Sequence, residues 1–135
     1  MVEKKILTTE EAGFAVGDIL CGTTHYCRTV THWYEVVRMT PKRLVLRKLP
    51  VSYQTEYLSN TPGSYCMPII GGEVDSRCPF HASLEPDDHE VQGSITQYKW
   101  SDKENWDEPS VCLIGDRYGP ILHRWDGQPG WVNCD

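Results

Sequence analysis

Apolar side chains are densest in one run, Thr31-His32-Trp33-Tyr34-Glu35-Val36-Val37-Arg38-Met39, and a second follows a Pro-containing turn, Arg43-Leu44-Val45-Leu46-Arg47-Lys48-Leu49. Aromatic and β-branched residues bounded by turn residues predict an antiparallel hairpin over 30–49. Its first run is apolar on both faces, with Trp33, Val37 and Met39 against Val30, Tyr34 and Val36. A strand covered on both sides belongs inside a curled sheet.

Around the hairpin the pattern predicts further short strands. Thr8 and Glu11 have capping-box spacing, but Gly13 limits any helix there to about one turn. Phe14–Leu20 reads as a first strand with a kink at Gly17-Asp18, and 21–30 as a long loop or irregular strand extension. From 50 to 90 the periodicity fades between Pro62, Pro68, Pro79 and Pro86, which predicts an irregular insertion with short strands such as Ser52–Tyr57. Val91–Trp100, Ser110–Gly115, Tyr118–Trp125 and Trp131-Val132 complete the set. Many short strands and little helix predict one all-β domain over 1–135, a small open barrel or sandwich of antiparallel strands carrying the insertion.

Length and charge narrow the classes of function. A chain of 135 residues has enough surface to bury for a core without staples. No apolar stretch is long enough for a membrane span, and Met1-Val2-Glu3-Lys4-Lys5 leads into no apolar core. The expectation is a protein of the cytoplasm with its six cysteines reduced. The net charge of -6 is uneven: residues 1–50 hold eight Lys/Arg against five Asp/Glu, and the rest five against fourteen. The basic cluster Arg38, Lys42, Arg43, Arg47 and Lys48 is too narrow a stripe for duplex nucleic acid. The acidic segments 85–90 and 101–108 read as solvated loops.

Two patches carry a resemblance. One is Gly17-Asp18-Ile19, Tyr26, Thr29, Trp33-Tyr34-Glu35-Val36-Val37 and Val45-Leu46-Arg47; the other is Tyr118-Gly119 with Trp125-Asp126-Gly127-Gln128-Pro129. Together, over about half the chain, they resemble small uncharacterised proteins of bacteriophages and mobile elements of Gram-positive bacteria. The chain departs from that group at Thr24–Val30, keeping only Tyr26 and Thr29 of a Trp-Gly-Tyr-Asp-Gln-Thr-Asn-like stretch. The resemblance implies a phage-type accessory role in a host cell, with no particular chemistry attached.

Candidate ligand-binding residues are His25, Tyr26, Arg28, Thr29, His32 and Trp33, joined by Tyr118, His123, Arg124 and Trp125 if the two patches pair. Aromatic faces stack on bases and a guanidinium grips phosphate, so this set suits a small nucleotide-like anion. The bland alternative is that Trp33, Tyr34, Trp125 and Trp131 fill the core. Cys66, Cys78 and His81 share the insertion, yet their spacing does not suit a compact zinc knuckle, and free thiols are expected. No phosphate loop or nucleophile elbow is present, and no cofactor is implied.

The leading expectation is a non-enzymatic counter-defence protein that sequesters a nucleotide-like signal. One alternative is an inhibitor whose acidic loops (85–90 and 101–108) occupy a basic groove on a host nuclease or defence effector. Another is a phosphodiesterase acting through His81 or Asp87, Asp88, His89 and Glu90. Exposed strand edges also leave room for a homo-oligomer.

Overall fold

The chain's eleven strands and one helical turn, among the residues described, are β1 (Val2–Leu7), α1 (Thr9–Ala12), β2 (Ile19–Thr24), β3 (Val30–Met39), β4 (Arg43–Lys48), β5 (Val51–Tyr53), β6 (Ser64–Pro68), β7 (Phe80–His81), β8 (Glu90–Trp100), β9 (Ser110–Leu113), β10 (Ile121–Arg124) and β11 (Gly130–Val132). They are seen in a computed structural model that describes residues 2–25, 29–54, 63–81, 89–116 and 119–132, with only the backbone of His81. All strand pairings are antiparallel.

Six strands form a closed barrel in the order β8-β4-β3-β2-β10-β9, with β9 returning to β8. Closure leaves the ring without an open edge, which an unclosed sheet would carry. Gly93 and Ser94 of β8 pair with both β4 and β9, while Ile95 and Thr96 pair with both β1 and β9. Hence β4 and β1 follow each other along one edge of β8, and β9 takes the other. Beyond the barrel, β1 and the end of β8 run on as a two-stranded ribbon.

Alternation along the strands decides what fills the interior. Leu20, Tyr34, Val36, Leu44, Leu46, Ile95, Val111 and Leu122 pack there as one buried cluster. At Gly93 a methyl group would collide with Val111 Cγ1, so the narrow barrel leaves no room for a side chain at that inward position.

One barrel end is plugged. Thr8 caps α1, accepting the Glu11 N–H (3.2 Å) while the Glu11 carboxylate accepts the Thr8 N–H (3.0 Å). Gly13, at φ 75°, ends the turn, and the chain delivers Ala12 and Phe14 into the core. Arg124 locks this end: its guanidinium lies 4.2 Å from the Phe14 ring centroid and donates to the Ala12 carbonyl at 2.9 Å.

Three short strands of the 50–90 insertion, β5, β6 and β7, join β11 in a second sheet of order β11-β6-β5-β7. It covers the outside of β2 and β3, burying Trp33, Leu49, Cys66 and Val132 against Ile19, Cys21, Val51, Tyr53 and Trp125. Trp33 is 0% exposed beneath it. Both faces of β3 are therefore covered, Tyr34 and Val36 by the barrel core and Trp33 by the small sheet.

Candidate functional site

The end of the barrel opposite α1 is polar. Inward-facing positions on β3 run Val36, Tyr34, His32, and those on β4 run Leu44, Leu46, Lys48, so each apolar row finishes in a polar group at the same end. On β2 the inward row Leu20, Gly22, Thr24 ends there too. The His32 Nε2 and the Thr24 hydroxyl oxygen are 2.9 Å apart, donor and acceptor being set by the tautomer. His32 and Lys48 are both half-buried.

Burial pushes the His32 imidazole down to about 4; the Lys48 ammonium pushes it the same way, and the Asp116 carboxylate opposes. His32 is accordingly neutral at pH 7, with one ring nitrogen able to donate and the other to accept. Asp116 is exposed, in the turn that follows β9. The mouth thus presents a neutral imidazole, a hydroxyl and a half-buried ammonium, with one carboxylate at its rim.

The remaining expected ligand-binding residues are spread over several regions. His25 is exposed and its Nδ1 lies 3.4 Å from the hydroxyl of half-buried Thr29; both sit in the β2–β3 connection at this mouth. Tyr26, Arg28 and Tyr118 lie outside the described residues. Trp33 faces away from the barrel interior and is fully enclosed, so neither ring face is open to a ligand. Its ring meets half-buried Trp125 edge-on, with centroids 6.3 Å apart and an angle of 82°.

The two patches do pair, His123 opposite Cys21 and Arg124 opposite Leu20. Strand alternation then separates neighbours. His123 is exposed on the outer face, whereas Arg124 belongs to the plugged end. Lys48 and Thr24 were not among the candidate residues, although Lys48 continues the Leu44–Leu46 alternation in plain view.

Cys66 and Cys78 are both 0% exposed, and His81's side chain lies outside the described residues. Burial raises the Cys66 thiol to about 12, helped by the nearby Cys78 and Cys21. Cys21, Cys66, Cys78 and Cys112 are free. Among the described residues no three His, Cys, Asp or Glu side chains gather in a way that would hold a metal ion.

Of the acidic segments, Asp102, Glu104 and Glu108 are exposed, while Asp107 accepts the Trp100 indole N–H at 3.0 Å and lies 3.7 Å from Lys103. Glu90 is part of β8 and accepts two bonds from Arg38, each 2.8 Å. Residues 85–88 lie outside the described residues.

Comparison with protein-family models, curated proteins and solved structures finds no match. Among the described residues no helix is long and apolar enough to cross a membrane.

Proposed function

We propose that the protein is a binding module that sequesters a small anionic, nucleotide-like ligand at the His32–Thr24–Lys48 mouth of the barrel. The observation that carries this reading is Lys48, a cation at the end of an otherwise apolar inward row, beside a neutral imidazole that adds donor and acceptor capacity. Lys48 supplies charge for a phosphate, and His32 and Thr24 supply directional hydrogen bonds. The resemblance of the two sequence patches supports a phage-type accessory setting, and a counter-defence role is part of the same proposal.

Incubation with a panel of cyclic and linear nucleotides, heat denaturation and analysis of the released material tests it. Recovery of unaltered ligand from the wild type, with loss of binding in Lys48→Ala, is the expected result. Recovery of converted ligand would instead make the protein an enzyme. Absence of binding to every member of the panel would remove the reading. Exposed Asp102, Glu104 and Glu108 support a second one, an acidic inhibitor of a basic host protein, which reversal of those charges would abolish while Lys48→Ala left it intact.

A further inference from the structure

β1 is held on one side. It pairs with β8 from Val2 to Leu7, and among the described residues no other strand pairs with it. Its first five residues are all exposed, including Val2 at 39% and Ile6 at 74%. A two-stranded ribbon gains little stability by itself, and its open edge is a template for another strand.

The sequence of β1 is self-complementary in one antiparallel register. A two-fold axis normal to a sheet keeps every residue on its own face, so directly opposed residues must differ by an even number of positions. Registers are therefore centred on a residue. Centring on Glu3 sets that carboxylate against its own copy and Val2 against Lys4. Centring on Lys5 sets two ammoniums together, Lys4 against Ile6 and Glu3 against Leu7. Centring on Lys4 sets Val2 opposite Ile6 and Glu3 opposite Lys5, each twice. The only mismatch is Lys4 against its copy.

We propose that two copies of this chain associate through β1 in the Lys4-centred register, forming a continuous β8-β1-β1-β8 ribbon between two barrels. The partner is committed by the strand's charge order: opposite charges directly across an antiparallel pair stabilise it and like charges oppose it. Lys5 Nζ lies 4.3 Å from the centroid of the Trp106 ring, and Glu3 is registered opposite Lys99 on β8. The Val2–Ile6 pairs cover the two most exposed apolar side chains of the strand. The Lys4 pair weakens the contact and keeps it reversible. This surface is separate from the barrel mouth, so its test is independent of ligand binding.

Sedimentation velocity over a concentration series tests the proposal with the wild type, Glu3→Lys, Lys5→Glu, the double exchange Glu3→Lys/Lys5→Glu, and Lys4→Thr. The expected result is a concentration-dependent dimer for the wild type, monomers for both single reversals, and recovery of the dimer in the double exchange. Lys4→Thr should shift the transition to lower concentration. Circular dichroism of each variant confirms an unchanged fold. A wild type that stays monomeric at every concentration overturns the proposal, as does a dimer indifferent to both single reversals.

Discussion

Thr31 and Trp131, a hundred residues apart in the chain, exchange two hydrogen bonds: the Thr31 hydroxyl donates to the Trp131 carbonyl at 2.9 Å and accepts its N–H at 3.1 Å. One side chain of the barrel thereby satisfies the outer edge of β11 and joins the two sheets. Gly130 permits the approach, since a methyl group there would lie 2.6 Å from Thr31 Cγ2. Thr31→Val keeps the shape and removes both bonds. It should cost about 1–3 kcal/mol, the usual penalty for stranding partly buried backbone groups, read as a lower urea midpoint with an unchanged slope. Gly130→Ala should destabilise to a similar degree, by crowding.

Trp33 fills the interface between the sheets, and its buried indole N–H has no hydrogen-bond partner among the described residues. Trp33→Phe removes that unpaired donor while keeping a ring in place, so lost volume and relieved desolvation oppose each other. The expected net loss is below ~2 kcal/mol in urea unfolding, against ~3–5 kcal/mol for Trp33→Ala. A loss for Trp33→Phe well above ~2 kcal/mol would mean that removing the unpaired donor brings no compensating relief.

The parts legible in the sequence were those with strong apolar patterning. The hairpin β3–β4 and strand β8 fall close to their expected spans because both faces of the hairpin and one face of β8 are apolar. The Thr8–Glu11 cap was readable because it is a local interaction. β1 was missed because its side chains are almost all exposed and leave no apolar period. Of the second sheet, β5 and β11 overlap the expected strands Ser52–Tyr57 and Trp131-Val132, whereas β6 and β7 were missed. The strands of this sheet are only two to five residues long, and three of them pack in one cluster with Trp33, a residue distant in sequence. The site was partly legible. His25, Thr29 and His32 do share a mouth, but adjacent residues such as His32 and Trp33 face opposite sides of one strand.

Arg124 and Lys48 separate structure from binding. Arg124→Ala removes the bond to the Ala12 carbonyl and the contact with Phe14 at the plugged end. It should cost about 1–2 kcal/mol of stability and leave ligand affinity unchanged. Lys48→Ala should do the reverse, with near-wild-type unfolding and weakened nucleotide binding. Paired urea melts and calorimetric titrations check this, and loss of affinity in Arg124→Ala would return that residue to the site.

Thiol chemistry should report the covering of the barrel by the second sheet. Burial lifts Cys66 to about 12 and, with a contribution from Asp126, Cys21 to about 11. The thiolate is the reactive form, so both should resist alkylation at pH 8 in the native protein and react promptly once unfolded. Peptide mapping after timed iodoacetamide exposure checks this. Rapid native labelling of Cys66 would mean that the small sheet opens readily.

His32 should make the protein acid-sensitive over a defined window. Its imidazole sits near 4 when folded, against an ordinary value of 6.5, chiefly because burial disfavours the charged ring. Between those values the unfolded chain binds a proton that the folded chain does not, so stability falls as pH drops from about 6.5 toward 4 and is fully retained above 6.5. Carboxylates also titrate toward the acid end, which makes the difference between two proteins the informative quantity. His32→Gln keeps a donor and an acceptor near Thr24 and removes the titration. Urea midpoints at pH 7 and pH 4.5 should fall further for the wild type than for His32→Gln. Parallel losses would mean that the imidazole reaches water freely, and the mouth would then be wetter than the half-buried ring and its Thr24 contact imply.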